Sequence, residues 1–221
     1  MLNPAPFIDH TLLKSTATPG QIELLCEEAV EFGFAAVCIP PFYVRKASDL
    51  LYGSSVQVAT VVGFPLGYEV SAVKSFQTQH ALAAGATEID MVINLAAAKA
   101  GDMALVEKDI TAVVTASEGA SVKVIIECCE FDDAMKKILA ETVIAAGADY
   151  VKTSTGFAGG GATLEDVQLL SRSIAGRAKI KAAGGIRDLD SCLEMIEAGA
   201  DRLGTSAGVE IARQWLQGVA E

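Results

Sequence analysis

Hydrophobic positions along the chain gather into short runs, and eight of these have the length and β-branched content of buried strands. They are FIDHT (7–11), AAVCI (35–39), VQVATVVGF (56–64), EIDMVIN (88–94), VKVIIE (122–127), YVKTS (150–154), KIKAAGG (179–185) and RLGTS (202–206). Helical stretches separate them. The first opens at Thr18, with Pro19 at the first helical position and Gln21 placed to close a capping box. Another opens near Thr163, and the last runs through Trp215. Seven intervening helices and a terminal one are predicted.

A repeated phrase sharpens this pattern. In EFGFAAVCIP (31–40), AAGATEIDMV (83–92), AAGADYVKTS (145–154) and EAGADRLGTS (197–206), a helix end meets a glycine and a strand follows. Glycine suits the left-handed residue that often ends a helix. Helix, glycine and strand in succession describe βα units, which pair their strands in parallel. Eight such strands predict a (β/α)8 TIM barrel, one α/β domain over residues 1–221 with no linker or second domain. An open doubly wound sheet is the alternative.

Composition narrows the partners. The 221 residues are 51% hydrophobic, enough for a large core, and carry a formal net charge of -11. That charge argues against nucleic acid or an acidic membrane surface as partner, because phosphates attract Lys and Arg. The N-terminus lacks a basic region followed by an apolar stretch, and no apolar run reaches the roughly 20 residues of a membrane span. The five cysteines, Cys26, Cys38, Cys128, Cys129 and Cys192, are odd in number and form no C-x-x-C pair, which reads as free thiols in a reducing cytoplasm. His10 and His80 have no clustered partners, so neither a metal site nor a cofactor is expected.

Aligning the repeats on their glycines places the polar residues. The fifth residue after Gly85 is Asp90, and the fifth after Gly147 is Lys152. Equal offsets put both on the same face of their strands, since side chains alternate along a strand. Lys181 follows on the next strand, between the apolar Ile180 and Ala182. If the shared face is the interior, two lysines and one aspartate converge near the C-terminal mouth, where barrel enzymes place their chemistry. Burial and a neighbouring like charge both lower an amine's pKa and leave a neutral nucleophile, as imine formation with a carbonyl requires. The competing reading is a structural Lys152–Asp90 ion pair with Lys181 in solvent.

Glycine-bearing turns follow the last three strands: Ser154-Thr155-Gly156, Ala183-Gly184-Gly185 and Gly204-Thr205-Ser206. Two of these are the loops after strands 7 and 8, where barrels often cradle phosphate with backbone N–H groups. Gly156, Gly184, Gly185 and Ser206 are the candidate phosphate residues. The segment Ala158-Gly159-Gly160-Gly161 reads equally as a cover over the site or as an ordinary connection.

IDHTLLK (8–14), EIDMVIN (88–94), VKTSTGF (151–157), KAAGGIR (181–187) and RLGTSAG (202–208) together resemble the 2-deoxyribose-5-phosphate aldolase family, in order and over nearly the whole chain. The resemblance implies a class I, metal-independent lyase that interconverts 2-deoxy-D-ribose 5-phosphate with acetaldehyde and D-glyceraldehyde 3-phosphate in deoxynucleoside catabolism. It implies Lys152 as the imine-forming lysine, Lys181 as the second lysine that tunes it, and Asp90 as a proton-transfer group. It also implies a homo-oligomer, a homodimer being the commonest symmetry. Ala207 stands where relatives often have a second serine, which predicts one hydroxyl fewer at the phosphate. Glu127-Cys128-Cys129 and Pro40-Pro41 also depart from the pattern. A different Schiff-base barrel aldolase, a transaldolase and a non-catalytic phosphate-binding barrel are the other readings.

Overall fold

The computed structural model describes residues 2–220, all but the side chain of Ala220. Eight strands close into a barrel in chain order: β1 (Ile8–Thr11), β2 (Ala36–Ile39), β3 (Gln57–Val62), β4 (Glu88–Val92), β5 (Ser121–Ile125), β6 (Tyr150–Lys152), β7 (Lys179–Ala183) and β8 (Arg202–Thr205). Every neighbouring pair is parallel, and β8 returns to β1. The open-sheet alternative is thereby excluded.

The helices are α1 (Pro19–Phe32), α2 (Val44–Leu50), α3 (Ser71–Ala83), α4 (Leu95–Lys99), α5 (Met103–Ala116), α6 (Asp133–Ala145), α7 (Leu164–Ile174), α8 (Leu189–Glu197) and α9 (Gly208–Ala220). The capping box of α1 forms, with Thr18 N–H donating to Gln21 Oε1 at 2.9 Å. Thr163 caps α7, its Oγ1 accepting from Asp166 N–H at 3.1 Å. The four repeat glycines Gly33, Gly85, Gly147 and Gly199 all have positive φ, so the sequence repeat records one recurring helix stop. The β4–β5 connection holds two helices instead of the predicted one. Asn94, at the end of the EIDMVIN run, leaves the strand and caps α4 by accepting from Ala97 N–H.

Strand alternation divides the interior from the helix layer. Ile89, Met91, Val122, Val124, Val151, Ile180, Ala182 and Leu203 point outward into the main core under the helices. Their neighbours point into the barrel, and these inward positions are unusual. On β2 and β3 they are small and apolar, namely Ala36, Cys38, Ala59 and Val61, with Leu13 and Phe64 packed against them. Around the rest of the ring they include Asp9, Glu88, Asp90, Lys123, Lys152, Lys181 and Arg202, of which all but the partly buried Arg202 are buried. Barrel interiors are normally filled with branched apolar residues. Half of this one is filled with charge.

Candidate active site

The strand register brings the predicted residues together. Lys152 lies directly beside Lys181 across the β6–β7 pair. Asp90 Oδ2 accepts from both amines, at 2.7 Å from each Nζ. Lys181 is fully buried and does not reach solvent, which disposes of the reading that placed it there.

Four residues that the glycine alignment did not single out complete the cluster. Lys181 also donates to Asp9, and Lys123 donates to Glu88 and, at 3.1 Å, to Asp90 Oδ1. Arg202 bridges Asp9 Oδ1 at 2.6 Å and Glu88 Oε1 at 3.1 Å. Four cationic groups thus face three carboxylates, with each carboxylate held by at least two donors. Such a buried network is tolerable only because nearly every charge has a partner.

The electrostatics of the cluster follow from its pairing. Burial by itself lowers the pKa of Lys181, but Asp9 and Asp90 outweigh it and hold the ammonium form well above the ordinary lysine value. Lys181 is therefore held in its ammonium form. Burial likewise pushes the Asp90 carboxyl up, and Lys123, Lys152 and Lys181 together bring it well below the ordinary value. Asp9 is lowered in the same way, by Lys181, Lys123 and Arg202 acting against burial. Within the set, Lys152 has one carboxylate partner while Lys123, Lys181 and Arg202 have two each. Apart from Lys152, three cations face three carboxylates.

Lys152 is also the one member of the cluster that lines the pocket at the mouth, a cavity of about 300 Å³. Gly156, Gly184, Gly185 and Ser206 also line it, alongside Thr155, Phe157 and Thr205. Two cations missed in the sequence, Lys14 and Arg187, stand on its rim with their side chains exposed. Their signal was present, in the last residue of IDHTLLK and of KAAGGIR, but an exposed Lys or Arg in a loop is common.

Several open features of the sequence find places here. The second half of the FAGGG loop is packed down as a connection. Ala162 N–H donates to Ala183 O and Gly184 O, both at 3.0 Å, and a Cβ on Gly161 would lie 2.4 Å from Gly184 O. Ala207 packs against the helix-layer core, so its methyl does not stand in for a phosphate ligand. Glu127 takes a left-handed conformation (φ 53°) and spends both carboxylate oxygens on Thr155, accepting from its N–H at 3.0 Å and its Oγ1 at 2.6 Å. Pro40 precedes a 3₁₀ turn over Pro41–Tyr43 that leads into α2. Ser154, on the inward face two residues beyond Lys152, is buried, and its Oγ has no partner among the described residues.

His10 bonds Glu28 at 2.7 Å and leans on the Phe34 ring, while His80 stacks on Phe76. Neither touches the cluster. Among the described residues no three His, Cys, Asp or Glu side chains are grouped to hold a metal ion. The cysteines are free, with Cys26, Cys38, Cys128 and Cys192 buried and Cys129 exposed. Burial pushes the Cys26 thiol up to about 11 and the Cys192 thiol up to about 12, so both stay protonated. No helix of the described residues is long and apolar enough to cross a membrane.

A closed parallel barrel with a charged interior and a glycine-turned pocket at the C-terminal ends of its strands defines a TIM-barrel enzyme acting on a small ligand. Comparison with known proteins makes this specific. The model of the DeoC/LacD family of aldolases matches residues 5–218, and the chain belongs to that family. It is 54% identical over 217 residues to the deoxyribose-phosphate aldolase of Syntrophotalea carbinolica, covering 98% of both chains. Among solved structures, an aldolase called QR15 superposes with a TM-score of 0.96 at 40% identity, over 100% of this chain and 99% of that one. A deoxyribose phosphate aldolase from Aeropyrum pernix, described as tetrameric, gives 0.91 at 35% identity over 96% of this chain and 91% of that one.

Proposed function

We propose that the protein is a deoxyribose-phosphate aldolase, cleaving 2-deoxy-D-ribose 5-phosphate reversibly to acetaldehyde and D-glyceraldehyde 3-phosphate through a Schiff base on Lys152. The observation that carries this reading is the placement of Lys152 Nζ, 2.7 Å from Asp90 Oδ2 and lining the same pocket as the glycine turns. The names of curated relatives at about half identity over nearly the whole chain support the substrate.

The neutral Lys152 amine attacks C1 of the open-chain sugar, and loss of water gives the imine. Protonated imine nitrogen draws electrons, so the C2–C3 bond breaks as the C3 hydroxyl gives up its proton. The three-carbon aldehyde departs and a two-carbon enamine remains. Protonation of the enamine and addition of water release acetaldehyde and restore the amine. Asp90 and Lys181, hydrogen-bonded to each other and beside Nζ, are the groups within reach to carry protons to and from the carbinolamine and enamine. Backbone donors of Gly156, Gly184, Gly185 and Ser206 hold the phosphate, and Lys14 and Arg187 complement its charge.

Metal independence belongs to the same reading, since the carboxylates of the cluster are directed at ammonium and guanidinium groups. The free thiols support a reducing, cytoplasmic setting. We read the 221 residues as one domain, and the exposed Phe42, Tyr52, Tyr68 and Phe76 support a homo-oligomer, a homodimer in the first instance.

Cleavage rates on three substrates test the assignment. 2-Deoxyribose 5-phosphate should be cleaved fastest, and 2-deoxyribose without its phosphate should lose about a hundredfold in kcat/KM, the worth of one or two charged hydrogen bonds. Faster cleavage of a ketose phosphate would assign the site to a different aldolase or a transaldolase.

A further inference from the structure

We propose that Phe64 and Phe157 form one aromatic wall that closes the donor side of the Lys152 site and limits the donor aldehyde to two carbons. The inference rests on the aldolase reading and assigns its donor specificity. Phe157 lies five residues beyond Lys152, in the β6–α7 loop, and lines the pocket with it. Phe64 lies two residues beyond the end of β3, on the far side of the mouth. Their rings meet edge to face, with centroids 5.3 Å apart and planes at 85°.

Below the rings the wall continues downward. Phe64 rests on the interior patch of Ala36, Cys38, Ala59 and Val61, an apolar sector inside the barrel. Cys38 in that patch points into the same closed barrel interior as Lys152 and Asp90. The barrel interior around Lys152 therefore has two unlike sides. One carries the glycine turns with Lys14 and Arg187, suited to a phosphorylated, hydroxylated fragment. The other is the apolar patch under Phe64, whose one weakly polar group is the Cys38 thiol, suited to the methyl carbon of an acetaldehyde-derived imine.

Both halves of the wall are held in place. Gly63 N–H donates to Gln77 Oε1 at 2.8 Å, and Gly67 approaches the β4–α4 backbone so closely that a Cβ would lie 1.9 Å from Ile93 O. Phe157 N–H donates to Thr155 Oγ1 at 3.0 Å, and Thr155 is the residue that Glu127 grips. Phe157 nonetheless remains 55% exposed. A ring held at the rim while half in water is accounted for by what it shields. An additional methyl on the donor carbon would press against the two rings.

The test measures kcat/KM for acetaldehyde and for propanal with D-glyceraldehyde 3-phosphate as common acceptor. It uses full-length wild type, Phe157→Ala, Phe64→Ala and the double variant. The acetaldehyde preference should fall about tenfold or more in each single variant, the size of one methylene's discrimination. The double variant should fall little further than the stronger single, because both changes open the same wall. Phe157→Leu and Phe64→Leu keep apolar bulk and should stay near wild type; they also serve if an alanine variant fails to fold. Unchanged preference in folded, active single variants overturns the wall, as do single effects that simply multiply. A wild type inactive with acetaldehyde overturns the aldolase reading and the wall with it, whereas an active wild type with unaltered ratios in the variants overturns the wall alone.

Discussion

Replacing Lys152 by leucine should abolish turnover of 2-deoxyribose 5-phosphate, lowering kcat by about 10⁴-fold or more, as loss of a covalent nucleophile does. The fold should survive. Lys152 has one ion-pair partner, and its loss leaves Lys123, Lys181 and Arg202 facing Asp9, Glu88 and Asp90, a balanced set. A leucine there also restores the kind of residue that fills most barrel interiors. Circular dichroism and thermal melting should therefore place the variant within about 1–2 kcal/mol of wild type, since a buried ion pair is often replaced by a hydrophobe at little cost. Near-normal turnover in a folded Lys152→Leu protein would remove Lys152 from the nucleophile's role.

Asp90→Asn should damage both stability and activity. Its carboxylate is the hub of the cluster, bonded to Lys123, Lys152 and Lys181 at once. Neutralising it leaves four cationic groups, three of them buried, with two carboxylates, and breaking a buried pair from one side costs about 3–5 kcal/mol. Activity should fall a further 10²–10⁴-fold, roughly the contribution of a positioned proton-transfer group. The pH dependence distinguishes this electrostatic origin from a packing defect. The Asp90 carboxyl is held well below its ordinary value of 3.8, so its contribution is present above that pH and is lost as pH falls through the depressed value. Wild type and Asp90→Asn should thus melt far apart near neutrality and converge in acid, below about pH 4. A gap that persists unchanged in acid would mean the substitution acts through packing. At the alkaline end, Lys181 is raised above 10.5, so its contribution is complete below that pH and fades only as the raised value is passed.

The barrel was legible because its repeats are local. A helix stop needs glycine at a left-handed position, and that chemistry recurs at Gly33, Gly85, Gly147 and Gly199 whatever the tertiary contacts. The Lys152–Asp90 pairing was legible for the same reason, since equal offsets from a common stop give equal faces. Lys123, Asp9, Glu88 and Arg202 went unread although alternation places them. Lys123 lies between Val122 and Val124 just as Lys181 lies between Ile180 and Ala182. What sequence withheld was the count of charges in the shared space. That count keeps Lys181 in its ammonium form, because two carboxylates from β1 and β4 outweigh its burial. Long-range approaches of this kind, with Asp9 and Lys181 separated by 172 residues, leave no periodic trace.

Glu127 and the Phe64–Phe157 contact were unreadable for a related reason. Each joins loops from different βα units, and loop conformation is set by the neighbours it meets. The four glycine-turn residues share one pocket because the loops after the last three strands open on the same end of the barrel. Lys14 and Arg187 occupy that place too, but on exposed rims.

The central claim is a covalent bond between Lys152 and the substrate carbonyl. Incubating the wild-type protein with acetaldehyde and sodium borohydride, then mapping peptides by mass spectrometry, tests it directly. Reduction of the imine should leave an N-ethyl group on Lys152 and extinguish activity in step with its formation, with Lys123 and Lys181 unmodified because each is fully buried and paired with two carboxylates. Inactivation without a modified lysine, or a modification confined to any lysine other than Lys152, would contradict the account.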